Sequence, residues 1–202
     1  AVDPNGGSNA SLLYTASSVG NTHGIGINFT WSANTTYTIS VFAKYGNKRY
    51  FVMQFNASSM NASAYGASFD MLNGVTATVN ASTTATIVPV GNGWYRCSIS
   101  FNTANVTTNN WIFYGISDSN TNTATADGTG TYVYGSQVEY GSSATTYYPT
   151  NINTPRFDWA STTVTPNKNL LIYTQGNFSN SSWGAFAGTI TDNTTATADP
   201  FS

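Results

Sequence analysis

The chain has 202 residues, of which 40% are hydrophobic and only 7% are charged, with a formal net charge of −2. Typical soluble domains carry about 25% charged residues, so Asn, Thr, Ser and Gly must cover most of this surface, a composition typical of exported β proteins. The six Lys and Arg form no basic stripe, which argues against nucleic-acid binding, and no run reaches the roughly 20 apolar residues of a membrane-spanning helix.

Alternation of apolar and polar residues predicts β-strands throughout the first 150 residues. In chain order the predicted strands are 10–15, 24–30, 36–43, 50–55, 65–71, 85–90, 94–101, 111–116 and 131–140. Turn signals such as Asn73-Gly74 separate them, and no segment has the period and caps of an amphipathic helix. The pattern predicts an all-β, antiparallel β-sandwich of the jelly-roll type.

Three of these strands have a well-defined apolar face under strict alternation. In 36–43 and 94–101 that face consists of Tyr37, Ile39, Val41, Ala43, Tyr95, Cys97, Ile99 and Phe101. In 131–140 it consists of Tyr132, Tyr134, Ser136, Val138 and Tyr140. Gln137 and Glu139 then share the opposite face of that last strand.

The composition changes after Thr150. Residues 151–168 contain Pro155 and Pro166 among several Asn and Thr, which is typical of a linker. The segment 169–174 then has the pattern of a new strand, and it is followed by large apolar residues. The apolar residues of this C-terminal segment are Leu170, Leu171, Ile172, Tyr173, Phe178 and Trp183.

Four segments carry a family resemblance. They are Thr-Tyr-Thr-Ile-Ser-Val-Phe-Ala-Lys-Tyr-Gly at 36–46, Gly-Asn-Gly-Trp-Tyr-Arg-Cys-Ser at 91–98, residues 135–150, and Asn-Leu-Leu-Ile-Tyr-Thr at 169–174. With them the chain resembles the carbohydrate-binding-module-like jelly-roll domains of tailed-phage fibres and other virion proteins. The resemblance implies a jelly-roll, concanavalin-like sandwich on a virion surface.

The order of these segments predicts the domain organisation. In the family the strand matched by 169–190 opens the domain, whereas here it lies at the C-terminal end. We therefore expect a sandwich at 1–150 that lacks its first strand, a linker at 151–168, and the opening strand of a following module at 169–202. Because free sheet edges are templates for pairing, that strand could instead be donated to a neighbouring copy. The predicted partners are thus other copies or repeats of the chain.

Arg96 and Glu139 are charged residues within otherwise neutral strands. One interpretation is a mutual ion pair, or hydrogen bonds, between neighbouring strands. The alternative is a polar face, shared with Gln137, that binds sugar hydroxyls. Aromatic rings stack on flat ligands, and the candidates for such a glycan platform are Trp111, Tyr114, Tyr132, Tyr134, Tyr147 and Tyr148. Core packing is the alternative for each of them, and we expect it for Trp94.

The sequence contains little that predicts catalysis. Its eight acidic residues show no spacing that singles out an acid–base pair, and one histidine and one cysteine predict neither a catalytic triad nor a zinc site. Asp118 and Asp127 flank the Ser/Thr/Asn-rich loop 117–130 and are weak candidates for structural calcium, with simple loop solvation as the alternative. No other cofactor is expected.

These observations predict a non-catalytic structural or adhesion module of a phage virion appendage, with weak binding of cell-surface glycans as a further expectation. The alternative is a subunit of an extracellular filament that assembles by β-strand exchange between copies. A polysaccharide-degrading enzyme is the third hypothesis. The predicted location is extracellular, on a virion surface or in a cell-surface filament.

Overall fold

A computed structural model of the chain describes residues 1–15, 23–55, 65–103, 108–119, 124–149, 183–186 and 188–191. Over these residues the chain forms twelve β-strands in two six-stranded sheets. All the strand pairs within the sheets are antiparallel. The predicted all-β, antiparallel β-sandwich is therefore confirmed. In the same part of the chain we find no helix with the length and hydrophobicity needed to cross a bilayer.

Each sheet is built from strands that are distant in sequence. Sheet A has the order β12-β1-β10-β3-β8-β7, with β1 Ser11–Thr15, β3 Thr36–Gly46, β7 Thr84–Gly91, β8 Trp94–Asn102, β10 Gly130–Tyr140 and β12 Gly188–Thr191. Sheet B has the order β11-β2-β9-β4-β5-β6, with β2 His23–Trp31, β4 Tyr50–Phe55, β5 Tyr65–Asp70, β6 Val75–Val79, β9 Thr108–Ser117 and β11 Gly184–Phe186.

The hydrophobic core lies between the two sheets. The predicted inward faces of β3 and β8 enter it, and Val41 and Ile99 are fully buried there. Aromatic rings fill one end of the core. The ring centroid of Trp31 lies 5.0 Å from that of Tyr37 and 5.3 Å from that of Phe101, and both pairs have edge-to-face geometry. Fully burying one large apolar side chain stabilises a fold by about 1.5–3 kcal/mol, so this core is the main source of the stability of the sandwich.

Strand β10 contains a β-bulge that the alternation of its sequence does not reveal. The register with β3 shifts between Tyr134 and Gln137, and Gly135 in the bulge has φ +61°. Before the bulge Val133 points into the core and Tyr134 points out, whereas after it Val138 points in. The prediction that Tyr132 and Tyr134 share a face with Val138 is therefore wrong, because the extra residue inverts the alternation. The two tyrosines lie on the outer face with Gln137 and Glu139.

The two C-terminal strands complete both sheets of their own chain. β12 pairs with β1, with Ile190 opposite Leu13, and β11 pairs with β2. Trp183, just before β11, is buried and stacks on Tyr114 with the ring centroids 5.8 Å apart. The preceding residues 150–182 could extend over at most roughly 100 Å at about 3.3 Å per residue.

This arrangement differs from the prediction of a strand that belongs to a following module or to a neighbouring copy. Residues 183–186 and 188–191 are part of the same sandwich as residues 1–149, because they cover edges of β1 and β2 that would otherwise be free. The predicted linker and most of the predicted assembly strand lie outside the described residues, namely 151–168, Leu170, Leu171, Ile172, Tyr173 and Phe178.

Candidate functional site

The outer face of sheet A brings together most of the polar residues singled out in the sequence. β3 lies between β8 and β10, so that Phe42 is opposite both Arg96 and Tyr134. One pair further along, Ser40 is opposite Gln137. Because of the bulge, Gln137 and Glu139 face the same way as Tyr134, and the outer face combines an aromatic half with a polar half.

A segment of the chain's own backbone lies across the polar half. We call residues 141–149, which follow β10, the closing segment. Its Thr145 donates from the backbone N–H to Glu139 Oε1 at 3.0 Å and from its hydroxyl to Glu139 Oε2 at 2.5 Å. The carbonyl oxygen of the same residue accepts a hydrogen bond from Arg96 Nη1. Both charged side chains therefore hold a single residue of the closing segment.

Gln137 extends this grip along the closing segment. Its Oε1 accepts a hydrogen bond from the backbone N–H of Tyr148 at 2.8 Å. Its Nε2 donates to Glu139 Oε1 at 2.9 Å and lies 3.4 Å from the carbonyl oxygen of Thr146. Gln137 and Glu139 are almost completely buried, with 0% and 2% exposure. In this structure their hydrogen-bonding capacity serves the closing segment and not an open sugar-binding face.

The charge of Arg96 is held in place by neutral groups as well. Its guanidinium lies 5.4 Å from the centroid of the Phe42 ring, within cation–π range, and Nη2 donates to Ser40 Oγ at 2.9 Å. Burial lowers the pKa of Arg96, and Coulomb attraction from Glu139 opposes that shift. The group remains a cation at neutral pH, because arginine deprotonates only above about pH 12.

The aromatic half of this face forms a second, smaller hydrophobic cluster outside the sandwich. Phe42, Trp94 and Tyr134 are buried in it together with Ala10. Tyr147 of the closing segment lies over them, 5.7 Å from the rings of both Phe42 and Tyr134. Trp94 is buried, as predicted, but its side chain packs on the outer face of sheet A and not in the core between the sheets.

The N-terminal loop seals the cluster from the other side. Trp94 Nε1 donates to the carbonyl oxygen of Val2 at 2.9 Å, and Asn5 Nδ2 donates to the Tyr134 hydroxyl at 3.2 Å. Asp3 shapes this loop by accepting hydrogen bonds from the backbone of Asn5, Gly7 and Asn9. Two segments of the same chain therefore cover the part of the outer face of sheet A that lies around Trp94, Tyr134 and Glu139.

Two of the predicted glycan-binding residues lie elsewhere. Tyr114 points into the core, stacks on Phe51 and Trp183, and shares a hydrogen bond with Ser136. Burial raises its pKa, partly offset by that bond. Its prediction as a sugar platform is wrong, because a fully buried ring offers no face to a ligand. Trp111 is half-buried on sheet B, opposite Asn28 and away from Arg96. Tyr132 is half-buried on the outer face of sheet A.

A second charged site joins the β3–β4 turn to the loop before β10. The Lys48 side chain is 1% exposed, and its ammonium lies 2.7 Å from Asp118 Oδ1 and 3.0 Å from Asp127 Oδ2. A third donor reaches the carbonyl oxygen of Thr125 at 3.1 Å. All three N–H bonds are thus satisfied. Sequence analysis placed Asp118 and Asp127 together but missed Lys48 as their partner.

The position between Asp118 and Asp127, where structural calcium was predicted, is occupied by the ammonium of Lys48. Burial acts to lower the pKa of Lys48, but the two hydrogen-bonded carboxylates outweigh it and the pKa is raised. Burial acts to raise the pKa of Asp118 and Asp127, and the hydrogen bonds from Lys48 and the neighbouring threonines lower both. Across the described residues, no cluster of three or more His, Cys, Asp or Glu side chains could hold a metal ion.

The last charged pair stabilises the turn between β5 and β6. Arg49 donates from Nε and Nη2 to Asp70 Oδ2 at 3.1 and 2.7 Å. Asp70 Oδ1 accepts from the backbone N–H groups of Leu72 and Asn73. The hydrogen bonds from Arg49, followed by those from Asn73, lower the pKa of Asp70 to about 2 against the opposing effect of burial. Each carboxylate in the described residues therefore holds a turn, a loop or a strand.

Comparisons with known proteins do not add to this description: no protein-family model matches the sequence, and no curated protein matches it.

Proposed function

We propose that the protein is a non-catalytic structural module of an extracellular assembly, such as a phage tail fibre or another virion appendage. The observation that carries the proposal is the use of the carboxylates in the part of the chain that the structure describes. Hydrolases need an acid and a base that face the substrate. Here Glu139 is buried under Thr145, Asp118 and Asp127 bind Lys48, and Asp70 binds Arg49. These carboxylates form hydrogen bonds and ion pairs that link strands and loops.

The closing segment supports the same proposal. It lies within residues 135–150, whose sequence resembles that of virion jelly-roll domains, and hydrogen bonds hold it against sheet A. Glu139 and Arg96 tie Thr145 to the sheet, while Tyr147 packs on the aromatic cluster. The low charge of the chain also favours the close packing of many copies, since few like charges have to be brought together.

Two measurements test this function. Incubation of the purified protein with bacterial surface polysaccharides should release no new reducing ends, and antibodies against the protein should decorate appendages in electron micrographs of virions from its source. Turnover of any glycan would contradict the non-catalytic role. Labelling confined to the cell interior would contradict the extracellular one.

Glycan adhesion is the second part of the proposal, and only half-buried aromatic residues support it. Four of the predicted aromatic residues keep part of their surface exposed, namely Trp111, Tyr132, Tyr147 and Tyr148, and the first two lie on the sheets and not in the closing segment. A glycan array probed with the protein and with its Tyr132→Ala and Trp111→Ala variants tests it. Binding that one variant loses would locate the platform, whereas a wild-type protein that binds no surface sugar would leave the structural role alone.

Assembly by strand exchange is the alternative function, and the position of β11 and β12 favours it. Both are edge strands that follow the long stretch 150–182, so the same strands could complete the sheets of a neighbouring copy through identical contacts. The paired residues Leu12 and Thr191 allow a direct test, because both can be changed to Cys and oxidised. Cross-linked monomers on a non-reducing gel would exclude exchange, and cross-linked multimers would establish it.

A further inference from the structure

One flank of the sandwich, formed by β6 of sheet B and β7 of sheet A, exposes an unusual amount of apolar surface. Its exposed apolar residues, each with 40–58% exposure, are Leu72, Val75, Val79, Val88 and Val90. No charged residue occurs between Asp70 and Arg96. The flank therefore combines two sheet edges with a surface that no charge protects.

Natural proteins usually blunt edge strands by shortness, charge, proline or a bulge, because a free edge templates pairing with another chain. On the opposite flank β11 and β12 have only 3 and 4 residues. On this flank β6 has a bulge at Ala77, where the register with β5 shifts. β7 has 8 residues and no charge, and both its proline, Pro89, and its shift of register with β8, between Pro89 and Gly91, lie at its C-terminal end. Residues 84–88 are thus the longest stretch of these four edges that neither a charge, a proline nor a bulge interrupts.

We infer that β7 pairs antiparallel with β7 of a second copy, about a two-fold axis at Thr86, and so joins sheet A of the two copies. This contact deepens the proposed structural function, on which its biological meaning rests, by naming a partner and a surface. A second copy is the favoured occupant because the two edges match in length and neither carries a charge. Pairing with the opposite flank would set 8 residues against 4.

Pro89 fixes the register. Proline has no N–H, and in edge strands its nitrogen normally faces the free side. Free-side groups alternate along a strand, so Ile87 and Ala85 also direct their backbone N–H and C=O groups outward. An axis at Thr86 places Ala85 opposite Ile87 of the second copy, where the two exchange hydrogen bonds. Pro89 then lies just beyond the paired residues and ends the ladder.

The side chains agree with this register. Thr86 meets Thr86 of the second copy on the outer face, a pair that stabilises antiparallel sheets, and Thr84 meets Val88. Val88 is 52% exposed in the single chain and would be covered in the pair. Ala85 and Ile87, which already pack against the core of their own chain, would meet across the joint and extend that core.

Cysteine cross-linking tests the register. The residue on the two-fold axis lies directly opposite the same residue of the second copy. In this register the two form a non-hydrogen-bonded pair with their α-carbons about 4.5 Å apart, a distance that suits a disulfide. Thr86→Cys should therefore oxidise to a covalent dimer, whereas the matched variant Thr84→Cys, which would face Val88, should not. The native Cys97 is buried and does not compete. Equal cross-linking of the two variants, or none in either, would overturn the inference.

Sedimentation of the full chain over a range of concentrations tests the contact itself. Val88→Lys should weaken dimer formation at least tenfold, because it introduces an ammonium into an uncharged edge. Val2→Lys is the matched control, since Val2 is 61% exposed in the N-terminal loop, and it should leave the dimer intact. A wild-type protein that stays monomeric would overturn this contact, and if it also turns over no glycan, the proposed structural function would remain.

Discussion

Arg96 and Glu139 both bind Thr145: the guanidinium donates to its carbonyl oxygen, and the carboxylate accepts from its N–H and its hydroxyl. The two charges come from β8 and β10, which β3 separates. They therefore meet through a backbone segment that forms hydrogen bonds with both. Removal of either charge should release the closing segment more than it disturbs the sheet.

The first prediction concerns Glu139→Gln. The amide keeps the size of the side chain but loses the charge and one acceptor, so one of the three donors that the buried carboxylate accepts from is left poorly paired. We expect a loss of about 1–3 kcal/mol in the free energy of unfolding, measured by urea denaturation. Limited proteolysis within 141–149 should also become faster. Ser142→Ala, at an exposed position in the same segment, should change neither quantity, and unaltered cleavage of Glu139→Gln would contradict the clamp.

The second prediction concerns Lys48→Met, which keeps the aliphatic length of the side chain but removes the ammonium. Breaking a buried ion pair on one side costs about 3–5 kcal/mol. Because Asp118 and Asp127 are each 44% exposed, water can hydrate them and we expect the lower part of that range or less, about 2–3 kcal/mol. Lys44→Met, a change at a half-buried lysine of β3, is the control. Equal unfolding midpoints for the two variants would refute the role of Lys48.

The third prediction concerns calcium. Because the ammonium of Lys48 occupies the position between Asp118 and Asp127, calcium should not raise the melting temperature of the wild-type protein, and a chelator should not lower it. A clear rise with calcium, as expected for a ligand that binds only the folded state, would mean that the two carboxylates accept the ion despite the lysine.

The fourth prediction concerns pH. The folded-state pKa of Asp70 is about 2, and those of Asp118 and Asp127 are also lowered, whereas unfolded Asp titrates near about 3.9. Groups with a lowered pKa stabilise the fold above the unfolded value, and this stability is lost as the pH falls through the folded value. Urea midpoints should therefore be nearly constant from pH 5 to 8 and fall between roughly pH 4 and 2.

Lys48 has the opposite sign and gives a check at high pH. Its raised pKa stabilises the fold below the unfolded value, near about 10.4, and this contribution is lost as the pH rises through the folded value. The Lys48→Met variant should lack that alkaline loss and part of the acid loss. Identical pH profiles for the variant and the wild type would contradict the assignment.

The fifth prediction concerns the bulge glycine. Gly135 has φ +61°, and a β-carbon there would lie 2.9 Å from the Tyr147 ring. Gly128 has φ +74° with no atom within 4 Å of that position. Gly128→Ala should therefore cost only the backbone strain, about 1–2 kcal/mol. Gly135→Ala should cost at least 1 kcal/mol more, because it also pushes Tyr147 off the aromatic cluster. Equal losses in thermal unfolding would show that the contact with Tyr147 carries no weight.

Sequence alone predicted the parts of the fold that depend on local alternation. Val41 and Ile99 point inward as expected because β3 and β8 are regular over their whole length. Alternation could not show that the two faces of β10 exchange at Gly135, since the extra residue of a bulge leaves no mark in the pattern of apolar and polar residues. A glycine inside a strand is the available signal, because it often marks a bulge.

The candidate site was less predictable, for a related reason. The two-residue period correctly grouped Gln137 with Glu139. It could not show that Thr145 would cover them, because backbone N–H and C=O groups are the same in almost every residue and so cannot be located from the residue type. The partnership of Lys48 with Asp127 likewise depends on a contact between residues 79 positions apart (127 − 48). Tyr114 was misplaced because a tyrosine with an internal hydroxyl partner such as Ser136 can be buried as readily as phenylalanine.

The pairing of β1 with β12 has a consequence for how the protein is made. Leu12 and Thr191 are neighbours in sheet A although 179 positions separate them (191 − 12). During synthesis β1 leaves the ribosome long before its partner exists, and at about 5–20 residues per second the delay lasts roughly ten to forty seconds. Closure of this edge of sheet A is therefore expected to wait until β12 has been synthesised, and during that interval β1 stays open to chaperones or to other nascent chains.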